Sequence, residues 1–301
     1  MLKRIKPDQV QLGMFVVSIE GSWLDRPLWR GEFCLDRQDD VAQLRASGVD
    51  AIVIDTSKSR KVDEPPRMTP EVQRALRAIE LSKPLVRAVF EEARIGKQVS
   101  ISSASTAVKH ISDSMKDGSQ ALLALTRLKT RDEYTFLHSI AVCALMVHLA
   151  RAVELDEQIV REIGMGGLVH DIGKMRIKLA VLNKAGPLTE REMQHVRAHP
   201  KLGHDLLAGQ GAVPDVVLDV CLSHHERMDG KGYPQGLAAG QITLPVRICT
   251  ICDVYDALTS RRAYKKPWTA AEAARFMLAS QGQFDRRLLM QFFQSLDFEV
   301  Q

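Results

Sequence analysis

HHERMDGKGYP, residues 224–234, sets two histidines side by side, follows them with a charged bridge and closes on a glycine-rich turn ending in Tyr-Pro. Adjacent side chains on an α-helix point about 100° apart, because one turn takes 3.6 residues. Two neighbouring imidazoles reach one site only if one faces the core and the other faces sideways. The residues upstream supply such a helix: Pro214 and Asp215 suit its first turn, and Val217, Cys221, His224 and His225 lie along it. Downstream, the glycines permit backbone geometries closed to other residues, so the turn can bring Tyr233 back toward the histidines.

Working outward, three more helices carry histidines on apolar stripes. Within 132–153, His138, Val142, Leu145 and Leu149 recur at helical spacing, so His138 faces the core. Ile159, Ile163, Gly167 and His170 form a second stripe, with Gly173 as a stop beyond it. Thr189 and Glu192 make a capping box for a third helix reaching His199, where Pro200 resets the chain. A lone histidine on an apolar face is ordinarily a satisfied core residue. Five inward histidines (138, 170, 199, 224 and 225) are costly to bury without a common partner, and a metal centre is that partner. Imidazole with carboxylate suits borderline divalent ions such as Fe, Mn, Ni or Zn, while the lack of nearby thiolates argues against a structural zinc site. Asp171 is the natural bridge, since its two oxygens can serve two ions.

The bulk properties limit the function classes. The 301 residues suffice for one large or two modest domains, and 45% hydrophobic with 26% charged residues is ordinary globular usage. A net charge of +4 admits an anionic small ligand but falls far short of a surface for duplex nucleic acid. MLKRIKPDQV has no signal-peptide pattern, and the longest apolar run, 140–147, is far shorter than the roughly 20 residues a bilayer needs. A cytoplasmic protein without a membrane span is therefore expected. The five cysteines are odd in number and sit in apolar helical contexts, so Cys249 and Cys252 are read as buried thiols rather than a redox pair.

The chain divides by pattern. Residues 1–62 form a small β-rich (α+β) module, with strands near 14–19 and 50–55 and a helix near 37–47. KVDEPPRMTP, 61–70, reads as a linker, and 63–117 as linker and connecting helices. From 118 to 301 the pattern is helical, giving a mainly α protein with an all-helical bundle as its larger part.

VHDIGK (169–174), HP (199–200), HHERMDGKGYP and DVYDALTSRRAYKK (253–266) together resemble the HD-GYP family. It is a branch of the HD phosphohydrolases whose characterised members hydrolyse the second messenger cyclic di-GMP. The likeness covers about 118 to the end, with the motifs in the family's order. It implies that His138, His170, Asp171 and Asp253 hold one metal and that His199, His224 and His225 hold another, with Asp171 shared. Some members bind a third ion through a glutamate one turn before the first histidine. Tyr134 stands there, so two divalent ions are expected, iron or manganese by family precedent, with nickel and zinc left open. Asp171 and Lys174 are the implied catalytic residues. Lys174, Tyr233, Arg262 and Lys265 are the implied contacts to substrate.

The resemblance also implies partners: cyclic di-GMP as substrate, and diguanylate cyclase domains contacted through the Gly-Tyr-Pro loop. Asp256 is a candidate for orienting a ligand rather than binding metal, and Glu226 reads equally as sharing that role or as a solvated helix end. His195 is a rival ligand four residues before His199, and His110, His148 and His204 are read as surface or structural. The first module resembles a short domain often found ahead of HD-GYP domains, which points to regulation or to a homodimer. Family members usually continue into a short β tail where this chain stops after QSLDFEV, so weaker stability with an intact site is expected. The competing readings are hydrolysis of another cyclic dinucleotide or a mononucleotide, and a non-catalytic module that binds nucleotide or partners.

Overall fold

The protein is described by a computed structural model over residues 1–20, 31–36, 38–59, 68–127, 134–184, 186–211, 213–260 and 267–296. It divides into two compact units, Met1–Met68 and Thr69–Gln301.

The first unit is an antiparallel sheet of β1 (Leu2–Ile5), β2 (Phe15–Glu20), β3 (Phe33–Cys34) and β4 (Ala51–Asp55), in the order β1-β4-β2-β3. Alternation sends Ile5, Val16, Ile52 and Ile54 inward, where Val41 and Leu44 of α1 (Gln38–Arg45) cover them. β4 runs between β1 and β2, with Ile52 opposite both Ile5 and Ile19. The sequence pattern pointed to β2, β4 and α1. It did not point to β1 or β3, whose short runs gain strand character from the neighbours they pair with.

The second unit is helical. In chain order it contains α2 (Pro70–Arg94), α3 (Ile101–Ser114), α4 (Gln120–Thr126), α5 (Tyr134–Ala152) and α6 (Glu157–Val169). After a 3₁₀ turn at Ile172–Arg176 come α7 (Leu179–Leu182), α8 (Glu190–Arg197), α9 (His199–Ala208), α10 (Asp215–Ser223), α11 (Leu244–Thr259), α12 (Ala270–Ala279) and α13 (Arg286–Ser295). Thr69 caps α2 by accepting from Val72 N, with Pro70 in the first turn, so the Pro-rich break ends where the helical unit begins. Within 63–117, α2 and α3 contribute Val86, Val89, Phe90, Val108 and Ile111 to the same core as the later helices.

α5 is apolar nearly all round, as a helix enclosed by other helices is. By length and composition Thr135–Ala152 could cross a membrane, yet 72% of it is buried inside the bundle. His138, Val142, Leu145 and Leu149 are all buried, as their spacing predicted. The α6 stripe is shifted at its start: Ile159 is exposed and Val160 takes the core position, in line with Ile163, Gly164 and Gly167 at helical spacing. α10 stops at Ser223 with His224 as its C-cap, which places His225 beyond the helix rather than on it.

Candidate metal centre

The site is assembled by a close approach of backbones. His170 is the C-cap of α6, and Asp171 begins the 3₁₀ turn that lies against α9. A Cβ on Gly173 would stand 2.0 Å from the carbonyl oxygen of His199 and 2.5 Å from Gly203 N. Glycine is required there for contact, not as the left-handed helix stop that its sequence position suggested. The contact brings Asp171 to His199 across two elements.

Asp171 faces two ways. Its Oδ2 lies 3.6 Å from His138 Nε2 and 3.5 Å from His170 Nε2. Its Oδ1 lies 3.2 Å from His199 Nε2 and 3.8 Å from His224 Nε2. Asp253, on α11, adds an oxygen 3.2 Å from His138 Nε2 and 3.8 Å from His170 Nε2. His138, His170 and Asp171 present ligand atoms all within 4.8 Å of one another, and so do His199, His224 and His225. The structure thus brings together all seven residues expected to ligate metal, in two groups meeting at Asp171.

The backs of the rings are tied down. His138 Nδ1 is 2.7 Å from Asp256 Oδ2, and Ser260 Oγ donates to the other oxygen of that carboxylate. His170 Nδ1 donates to Gly167 O at 2.8 Å, His199 Nδ1 to Val196 O at 2.7 Å and His224 Nδ1 to Cys221 O at 3.0 Å. Assigned from this network, the tautomer of these last three puts the Nε2 lone pair toward the centre, as metal coordination requires.

That arrangement is unfavourable by itself. His170 Nε2 and Asp171 Oδ1 are buried with no hydrogen-bond partner among the described residues, and the Nε2 atoms of His199 and His224 face each other at 3.1 Å. Lone pairs directed at one another in a buried space cost free energy unless a cation stands among them. The donor set therefore fits divalent metal.

Electrostatics set His138 apart from the other imidazoles. Burial disfavours the charged form of His138, but Asp253 and Asp256 outweigh it and raise its pKa to about 9. Burial lowers His170, holds His224 well below the ordinary imidazole value and brings His225 down to about 4. Burial opposes ionisation of Asp171 too, yet Lys174, His170 and His199 keep its carboxyl well below the usual range. Lys174 Nζ reaches Asp171 Oδ2 at 2.5 Å. Burial pushes the Cys249 and Cys252 thiols well above their usual value, so neither offers a thiolate.

The loop after His225 folds back over the second group. Glu226, fully buried, accepts from Gln235 N at 2.7 Å, Gly236 N at 3.1 Å and Leu237 N at 3.0 Å. Gly232 passes so close that a Cβ would lie 2.5 Å from Glu226 Cα and Arg227 N. The Tyr233 ring consequently rests on His225, with centroids 4.7 Å apart and planes 31° apart. Glu226 thus anchors the loop instead of ending a helix in solvent. Arg197, at the end of α8, lies over the Tyr233 ring at 5.6 Å, and no sequence feature marks it.

Other candidates fall elsewhere. His195 is exposed, its Nδ1 bonded to Arg191 O, and it belongs to neither convergent group. His148 bridges Ser119 and Ser295, and His204 meets Asp205. Arg262, Lys265 and the Tyr134 side chain lie outside the described residues.

Comparison with known proteins accords with this geometry. Residues 109–288 match the family model described as HD domain, and residues 2–104 match a domain of unknown function, DUF3391. A Pseudomonas aeruginosa protein, cyclic di-GMP phosphodiesterase PA4108, is 46% identical over 97% of this chain and 76% of its own length. This chain belongs to the HD-GYP branch of the HD-domain family. The Xanthomonas campestris cyclic di-GMP phosphodiesterase response regulator RpfG is 42% identical over 54% of the chain, which spans 45% of that relative. Among solved structures, the HD-GYP-type protein Bd1817 of Bdellovibrio bacteriovorus shares the fold, with a TM-score of 0.63 at 15% identity over 99% of this chain and all of that one. HD-domain hydrolases bind divalent metals, and the convergent His and Asp side chains of this HD-GYP chain are candidate sites for them.

Proposed function

We propose that this chain is a metal-dependent phosphodiesterase that hydrolyses cyclic di-GMP to the linear dinucleotide or to GMP. The observation that carries the reading is Asp171, whose two oxygens each face a different convergent group of imidazoles. The names of the relatives PA4108 and RpfG support the choice of substrate.

His138, His170, Asp171 and Asp253 would hold one ion, and His199, His224, His225 and Asp171 a second, iron or manganese being favoured. When bound, such a pair polarises the phosphate and lowers the pKa of a water. The chain's own residues supply the rest. Asp171 stays ionised and fixes the separation of the groups. Lys174, partly exposed beside it, offers an ammonium to phosphate oxygens as negative charge develops there. Arg262 and Lys265 are proposed as further phosphate contacts. Glu226 holds the loop so that Tyr233 forms one wall of the entrance. A cytoplasmic location and contact of this loop with diguanylate cyclase domains complete the reading.

The test combines anaerobic metal analysis with chromatography of cyclic di-GMP incubated with the iron- or manganese-loaded chain. About two ions per chain with nucleotide product, both lost in Asp171→Ala, is the expected result. Turnover retained in Asp171→Ala would overturn the bridging role, and a loaded protein without turnover would overturn the activity.

A further inference from the structure

Three side chains step outward from the second ligand group. The His225 ring carries the Tyr233 ring 4.7 Å away, and Tyr233 carries the Arg197 guanidinium 5.6 Å from its own centre. Arg197 is exposed and has no carboxylate partner among the described residues. Arg227, on the same loop as Tyr233, is by contrast committed to Asp229 through two hydrogen bonds of 3.0 and 2.8 Å. A cation over an aromatic face is held by the ring quadrupole, which fixes where the guanidinium stands without consuming its N–H donors.

We infer that Arg197 is a specificity-determining residue that reads the edge of a guanine base in the substrate; the inference rests on the cyclic di-GMP reading above. Guanine presents O6 and N7 side by side as acceptors, and the guanidinium fork matches both. Adenine presents N7 beside an amino donor, and arginine has donors alone. Position favours a base over the reacting phosphate. Lys174 lies beside Asp171 at the meeting point of the ligand groups, whereas Arg197 is a whole aromatic ring farther out than His225. The contact arises between the last turn of α8 and the loop anchored by Glu226, so the loop that lays Tyr233 on His225 also sets the ring against Arg197.

The test is equilibrium binding of cyclic di-GMP and cyclic di-AMP to the metal-free full chain, in wild type, Arg197→Met and Arg197→Lys. The two ligands share charge and backbone and differ in the base. Wild type should prefer cyclic di-GMP, and Arg197→Met should reduce that preference about tenfold or more by weakening cyclic di-GMP alone. Arg197→Lys should keep some affinity without restoring the preference, because an ammonium lacks the fork. Parallel weakening of both ligands in Arg197→Met would assign Arg197 to phosphate and overturn the inference. Unchanged binding in that variant, or a wild type without preference, would overturn it equally. A wild type that prefers cyclic di-GMP yet fails to cleave it when loaded would sink the enzymatic reading and leave base recognition standing.

Discussion

The group around His138 sets two carboxylates, Asp171 and Asp253, against two imidazoles, whereas the group around His225 sets three imidazoles against the shared Asp171. Burial acts on both groups in the same direction, disfavouring charge. At His138, Asp253 and Asp256 overcome it and the imidazole keeps a proton up to about 9; at His170 beside it and throughout the second group burial wins, with His225 falling to about 4. Identical residue types in one site thus acquire opposite protonation because their neighbours differ. The first group is an anionic pocket for a cation, and the second is a neutral cluster of lone pairs whose charge complement is the far oxygen of Asp171.

Asp171→Asn should break the comparison most severely. The amide keeps the shape but loses the charge that serves both groups, so activity should fall by about 10³-fold or more, with metal content below one ion per chain. A variant retaining two ions would show that Asp171 is not the bridge. Next in size is the contrast between His225→Ala and His138→Ala. The first should retain about one ion per chain, held by the carboxylate-rich group. Competition with a chelator should likewise strip wild type in two steps, the second group emptying first. Equal loss from both groups would remove the asymmetry.

Much of this site was legible in the sequence, for a physical reason. Helical periodicity fixes which face a residue occupies, so the inward direction of His138 and His170 followed from their stripes, and the motifs joined them to His199, His224, His225 and Asp253. What periodicity does not encode is contact between elements. Gly173 looked like a helix stop because only the partner backbone at His199 and Gly203 reveals the need for close approach. Glu226 read equally as an orienting group or a solvated helix end, because its N–H partners, Gln235 to Leu237, lie nine to eleven residues on and meet it only in the folded loop. Arg197 carried no signal, since its meaning depends on Tyr233 arriving from another segment. Ile159 failed in the other direction: its spacing suited the stripe, but Val160 beside it, also in step with Ile163, is the residue that is buried.

Asp256→Asn sharpens the comparison at smaller cost. It removes one of two carboxylates holding His138, without removing a ligand, so metal affinity of the first group should drop about 10- to 100-fold while the second is spared. Metal titration monitored separately in Asp256→Asn and His225→Ala distinguishes the groups. Glu226→Gln should lower unfolding stability by about 1–3 kcal/mol, because a buried carboxylate accepting three backbone N–H groups is replaced by an amide with donors facing donors. Metal content should survive, which calorimetry and metal analysis together would verify.

The smallest effect is the dependence of metal-free stability on pH, and it reads both groups at once. His138 has a folded pKa of about 9 against an ordinary 6.5. Its contribution is therefore fully present below 6.5 and lost as pH rises through about 9, because the folded state holds the proton longer. His225 is lowered to about 4, so the unfolded chain takes its proton first. That contribution is present above 6.5 and lost as pH falls toward about 4. The unfolding midpoint of metal-free protein should thus decline on both sides of neutrality. His138→Gln should flatten the alkaline limb and leave the acid one, and His225→Gln should soften only the acid limb, since His170 and His224 still titrate there. An alkaline limb that persists in His138→Gln would mean that Asp253 and Asp256 do not hold its proton, and the contrast between the groups would then rest on ligand count alone.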